Sequence, residues 1–163
     1  MPGELGIELS YFRDPLLRRS AAIAPDLAAD EVHRLDAEIA KSKNADIQAL
    51  RAALAAGVQA VSDGVDYIVA NAGKDVKGVF AGAVPFLKLM GVVAGGWQMA
   101  RAAFASERRL ASGEADKSFY EAKIKTARFY ADHVLVQAPG LRDTVVKGGA
   151  GVMALADDQF LAA

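Results

Sequence analysis

Residues 44–72 read NADIQALRAALAAGVQAVSDGVDYIVANA, and the spacing of the large apolar residues in this stretch decides the fold class. Ile47, Leu50, Leu54, Val58, Val61, Val65 and Ile68 lie three, four, four, three, four and three residues apart. A helix of 3.6 residues per turn collects such positions on one face, whereas a strand scatters them over both. The stripe predicts one continuous helix from about Asn44 to Ala72, roughly 42 Å long at 1.5 Å per residue. Asn44 is placed to cap the first free amides, and Gly73 follows as a stop.

Downstream of this helix comes a short polar stretch, Lys74 to Lys77, and then a break at Gly82 to Pro85. A second long helix is predicted from Pro85 to about Leu110, with Phe86, Leu89, Val93, Trp97, Ala100 and Phe104 on one stripe. Gly91, Ala94, Gly95, Ala102 and Ala105 supply small residues on its other faces, so it is apolar nearly all round until Arg108. Such a helix is expected at the centre of a bundle.

Ser112-Gly113 ends it, and Asp116 caps a third helix running through Phe119, Tyr120, Ile124, Ala127, Phe129, Tyr130, Ala131 and Val134. Glu121 with Lys125 and Arg128 with Asp132 are four residues apart and can pair across a turn, each pair contributing about 0.2–0.5 kcal/mol. Ala138-Pro139-Gly140 is expected to close this helix. Two short helices follow, Leu141 to Lys147 and Val152 to Leu161, divided by Gly148-Gly149. Upstream, a helix over Asp26 to Lys41 carries Leu27, Val32, Leu35 and Ile39, and residues 1–24 form an extension with at most a short helix from Pro15 to Ala22. All five prolines fall where apolar periodicity starts or stops. No strand pattern and no internal repeat interrupts this reading, so the expected fold is all-α: an antiparallel bundle of three long helices with shorter flanking helices, over residues 25–163.

The composition agrees. The 163 residues are 53% apolar but only 7% aromatic, and 34 of them are alanine, the best helix former. Nineteen basic and twenty acidic side chains leave a net charge of −1, with no basic cluster free of acids, which removes the electrostatic footprint of nucleic-acid binding. There is no cysteine, hence no disulfide, thiolate catalysis or cysteine-held metal. The stretch Gly78 to Ala100 is broken by Pro85 and Lys88, short of the roughly 20 apolar residues of a membrane span. With no basic start leading into an apolar run, the expected location is the cytoplasm.

Candidate chemistry is sparse. A di-iron bundle needs glutamate three residues before histidine on each of two helices, but Asp30 precedes His33 and Tyr130 precedes His133. Asp132 and His133 are neighbours on one helix, so their side chains point about 100° apart. Gly148, Gly149 and Gly151 lack the lysine and hydroxyl of a phosphate loop and read as a helix break. The row Lys117, Lys123, Lys125 and Arg128 is interleaved with Glu121 and Asp132 and reads as a solvated face. No nucleophile motif, carboxylate pair or metal-ligand set emerges, so no catalytic or metal residue is assigned. Gly91, Gly95 and Gly96 each cost a helix about 0.5–1 kcal/mol relative to alanine. Close approach of a neighbouring helix, or contact with a ligand or partner chain, would offset that; together with Trp97 they are the candidate packing or interface residues.

Two stretches go further: residues 80–87, FAGAVPFL, followed by residues 90–100, MGVVAGGWQMA, and residues 119–135, FYEAKIKTARFYADHVL. Together they resemble the C-terminal helical domain of a large subgroup of acyl-CoA dehydrogenases, the 3-methylmercaptopropionyl-CoA dehydrogenase type among them. The resemblance spans about Glu31 to Leu155. In such enzymes of fatty acid metabolism, FAD takes a hydride from the β-carbon of an acyl thioester while a glutamate removes the α-proton. The domains that do this precede the helical one, so the resemblance implies no catalytic residue and no FAD contact in this chain.

What the resemblance implies is an accessory domain that packs on acyl-CoA dehydrogenase catalytic domains or on a second copy of itself, with no activity of its own. Two other readings of an alanine-rich helical chain stay open at this level. One is a phasin-like amphipathic protein coating a hydrophobic surface, which the apolar helix at 85–107 and its tryptophan argue against. The other is a bundle binding a small ligand between its helices.

Overall fold

The structure is a computed structural model that describes residues 36–113, 116–152 and 154–160. The helix expected over Pro15–Ala22, most of the one over Asp26–Lys41, and His33 lie outside the described residues. Residues 36–39 form a helical turn, and Asn44 opens helix α1, Ala45–Asn71, by accepting hydrogen bonds from the amides of Asp46 and Ile47. The cap is as expected. Gly73 has no left-handed backbone; the helix ends in a turn in which Asn71 returns its side-chain amide to the Tyr67 carbonyl, 2.8 Å.

A short helix α2, Val76–Ala81, occupies what the sequence suggested was a polar connector, because the Asp75 carboxylate accepts from the Gly78 amide and caps it. The break is narrower than expected, Gly82 alone serving as the end of α2 and the start of α3, Ala83–Ala111. Pro85 lies in the first turn of α3, where its missing amide proton removes no helical bond. Gly113, with φ of +76°, is the left-handed residue that lets the chain leave α3. Helix α4, Lys117–His133, opens with Asp116 accepting from the Phe119 amide at 3.1 Å.

Pro139 does not close α4. The chain passes through a 3-10 turn at Leu135–Gln137 into α5, Ala138–Lys147, with the proline in its first turn. Gly149 begins the short helix α6, Gly149–Val152, and a final 3-10 turn covers Asp157–Phe160, in place of one helix from Val152 to Leu161.

Side-chain contacts fix the directions. Ser42, just before α1, donates to Glu107 near the end of α3 at 2.6 Å, while Gly64 late in α1 faces Phe86 early in α3, so α1 and α3 are antiparallel. Gly95 and Gly96 in mid-α3 meet Tyr130 and Leu135 at the far end of α4, so these two are antiparallel as well. Asp46 pairs with Lys125, and Gly57 faces Leu135 and Ala138, so α4 runs parallel to α1 and α5 continues its course. The three-rod bundle is therefore α1, α3, and the bent rod α4–α5. At its far end Val145 of α5 packs on Gly82, and Gly149 of α6 on Gly78 of α2.

The core joins Ile47, Leu50, Val58 and Val61 of α1 with Leu89, Val93, Ala100 and Ala103 of α3 and Ile124, Ala127 and Ala131 of α4. The three predicted stripes meet there. Two expectations for α3 fail. It is a wall rather than the centre, since Val84, Leu87, Gly91, Ala94, Gln98, Arg101 and Ala105 form an exposed face. Trp97 is half-buried, not core: the buried face centres on Leu89, Val93, Gly96, Ala100 and Ala103, and Trp97 stands 100° round from Gly96, at the margin.

Candidate functional site

Of the four candidate residues on α3, the structure brings two against α4. A β-carbon on Gly95 would fall 2.2 Å from the Tyr130 hydroxyl oxygen, and one on Gly96 would fall 2.7 and 2.8 Å from the Leu135 methyls. Leu135 is fully buried and is itself held between two glycines, because its Cδ2 is also 3.4 Å from where a Gly57 β-carbon would stand. Gly96 on α3 and Gly57 on α1 thus leave the space that one leucine of the third rod fills. Gly91 differs: nothing lies within 4 Å of its missing side chain, and it faces outward.

Tyr130 adds a polar contact to this junction. Its hydroxyl donates to the Val92 carbonyl at 3.0 Å, adding a donor to an oxygen of the α3 backbone. Burial pushes the Tyr130 phenol up from its ordinary value, because the charged phenolate is poorly solvated there. A raised folded-state pKa means that the stability tied to the neutral phenol is present at neutral pH and is lost as pH rises above about 10. Tyr130→Phe is therefore expected to cost about 1 kcal/mol at pH 7 and to flatten the alkaline loss of stability. Urea unfolding in a pH series reads both; an equally steep alkaline loss in the phenylalanine variant would remove Tyr130 from the account.

The charged side chains of α4 find partners on α4 itself or on α1. On α4, Lys125 reaches across to Asp46 in the first turn of α1 at 2.7 Å, which displaces the expected pairing with Glu121. Glu121 instead lies 3.6 Å from Lys117. Arg128 pairs with Asp132 at 2.7 Å, as expected, and with Asp46 at 3.5 Å, and both carboxylates raise its pKa. The Lys123 ammonium sits 5.2 Å from the centre of the Phe119 ring. His133 stacks on Phe129 with ring centres 4.2 Å apart, both exposed, and Asp132 turns to Arg128 rather than to the histidine. Arg101 is exposed, its Nη1 3.4 Å from the Gln98 side-chain oxygen.

Sequence reasoning missed the pairs that tie rods together. Arg51 holds Asp36 through Nε and Nη2 at 2.8 and 3.1 Å, a bond that raises its pKa. Arg142 of α5 bonds Asp63 of α1 and lies 2.8 Å from Asp143, whose carboxyl is lowered, first by its bond to Lys147. Partners up to 79 residues apart leave no local spacing to read.

A seat for FAD needs an open slot for the ring system and unpaired donors for the pyrophosphate. Tyr130 and Leu135 fill the space at Gly95 and Gly96 of α3, the α4 cations meet carboxylates or a ring, and Gly149 packs on the Gly78 backbone. These groups therefore do not fit the flavin or its pyrophosphate. Among the described residues no three histidine or acidic side chains cluster as a metal site, and no helix is long and apolar enough to cross a membrane.

The geometry is that of a packed bundle with uncovered apolar faces, and comparison with known proteins places it. The chain is similar to 3-methylmercaptopropionyl-CoA dehydrogenase of Ruegeria pomeroyi, 36% identical over 121 residues. That match covers 74% of this chain but 20% of the relative, so the chain spans about a fifth of the length of the protein it resembles. The family described as "Acetyl-CoA dehydrogenase C-terminal like" matches residues 28–156, which takes in every helix of the bundle, and the chain belongs to this family of acyl-CoA dehydrogenase C-terminal domains.

Proposed function

We propose that this bundle is a non-catalytic accessory domain of an FAD-dependent acyl-CoA dehydrogenase in the cytoplasm, packing on the enzyme body or at a subunit interface. The observation that carries the reading is the family match, confined in the relative to a fifth of its length. In that assembly FAD is held by the body and accepts the hydride from the acyl thioester. The bundle contributes no reacting group. Gly91 and Ala94 on the open face of α3, beside half-buried Trp97, form a smooth strip on which another backbone can approach closely.

Two measurements test this. The purified chain is expected to be colourless and to give no dye reduction with acyl-CoA esters; a yellow, active preparation would refute the non-catalytic role. In the Ruegeria pomeroyi relative, deleting the 121-residue segment that matches this chain is expected to leave flavin content intact while lowering the assembly state or the melting temperature. A truncated enzyme with unchanged assembly and stability but no turnover would place the domain in the chemistry instead.

A further inference from the structure

The outer face of α2 and α3 carries an apolar strip of regular spacing. Phe80, Val84, Leu87, Gly91, Ala94 and Gln98 are all exposed and lie four, three, four, three and four residues apart. Gly82, the single residue between the two helices, keeps a right-handed helical backbone (φ −80°, ψ −7°), so the spacing runs on through the junction. Helices that pack along one another use this spacing, and on α3 it lies on the side opposite the buried Leu89, Val93, Gly96 and Ala100.

The strip is large at one end and small at the other. Phe80, Val84 and Leu87 are 72%, 76% and 73% exposed, whereas a β-carbon on Gly91 would meet nothing within 4 Å and Ala94 adds a single methyl. Single exposed apolar residues are ordinary, but three of this size leave roughly 450 Å² of apolar surface in one patch, within the range that marks an interaction site. Val76 beside Phe80, with Gly91, Ala94 and Gln98, brings the strip towards the about 800 Å² that each partner of a standard interface covers.

We propose that a second copy of the chain covers this strip, the two α3 helices lying antiparallel about a two-fold axis at the level of Leu89. That symmetry sets Leu87 over Gly91 of the partner subunit, Val84 over Ala94 of the partner subunit and Phe80 over Gln98 of the partner subunit. The two branched side chains of α3 each meet a small residue, which lets the helices approach to about 8 Å, the close end of helix packing. A parallel pair would set leucine on leucine and glycine on glycine, a bulge beside a gap. The fit of the strip to itself, turned end for end, selects a second copy over an unrelated apolar surface. Lys88 borders the strip, and its long stem carries the ammonium out to water. The inference rests on the subunit-interface part of the accessory-domain reading, and it names the partner and the register.

Sedimentation velocity on the full chain reads the association. A dimer with a micromolar dissociation constant is expected of an interface at the lower end of the standard size, with folded monomer at high dilution. Leu87→Asp and Gly91→Val, both at exposed positions outside the core, are each expected to raise that constant at least tenfold with the helical circular dichroism signal unchanged. Phe129→Asp on the exposed face of α4 should leave it as it is. The chain has no cysteine, so introduced thiols read the register. An equimolar mixture of Val84→Cys and Ala94→Cys chains is expected to give a disulfide-linked dimer on oxidation. Neither variant alone should do so, because its two thiols would stand about 15 Å apart along the paired helices, beyond disulfide reach. A chain that stays monomeric at hundreds of micromolar overturns the proposal. So does a dimer indifferent to both Leu87→Asp and Gly91→Val, or crosslinking of either cysteine variant alone as readily as the mixture. Flavin content and dye reduction are read separately on the same chain, so failure of this pairing is distinguishable from failure of the non-catalytic reading.

Discussion

Gly96→Val is expected to destabilise the bundle by about 3 kcal/mol, near the upper end of ordinary overpacking, and to lower its melting temperature by roughly 6–12 °C for a domain of this size. The first added carbon would stand 2.7–3.0 Å from three atoms of Leu135. Leu135 cannot swing aside, because it is 1% exposed and its opposite side rests against the bare backbone of Gly57. The helix gains only about 0.3–0.5 kcal/mol from losing a glycine to valine, which leaves the clash dominant. Gly91→Val, five residues earlier, is the internal control: with open space there, it should change stability by no more than about 0.5 kcal/mol, in the stabilising direction. Thermal unfolding followed by circular dichroism measures both, and equal losses at the two positions would mean that helix approach is not what Gly96 serves.

The contrast between these glycines marks how far the sequence can be read. The 3.6-residue period placed Ile47, Leu50, Val58 and Val61 correctly in the core, as it did Leu89, Val93 and Ala100, because burial of a helix face is written into spacing. The caps at Asn44 and Asp116 were legible for the same reason: each acts on amides two or three residues away. Pro139 was not, since proline is equally suited to follow one helix and to open the next, and only the 3-10 turn at Leu135–Gln137 decides between them. Nor does spacing tell Gly91 from Gly95 and Gly96, all small residues in one helix, because the difference lies in what α4 places opposite them. The all-round apolarity of α3 has a different meaning from the one its composition suggests. A central helix and a wall helix with an uncovered face have the same composition, and the exposure of Val84 and Leu87 identifies the second case.

A second substitution probes the same junction from the other side. Leu135→Ala is expected to cost about 2–5 kcal/mol, the range for a buried leucine whose surroundings cannot collapse into the cavity. Here collapse is restricted, because two parts of the cavity wall are helix backbone at Gly57 and Gly96, which have no side chain of their own to move inward. Set against a total stability of about 5–15 kcal/mol for a single domain, this is a large fraction of what holds the bundle folded. The informative experiment adds Gly96→Ala. In the native background the new methyl meets Leu135 and should cost about 1 kcal/mol net, after the helix gains from losing a glycine. In the Leu135→Ala background the opposing atoms are gone, the methyl fills part of the vacated space, and the same substitution should stabilise by about 1 kcal/mol. Its sign therefore reverses, a coupling of about 2 kcal/mol, well above the few tenths expected of independent sites. Urea unfolding of the four proteins closes the cycle. If Gly96→Ala costs the same in both backgrounds, Leu135 is not what the glycine accommodates, and the close packing of α3 on the third rod must have another cause.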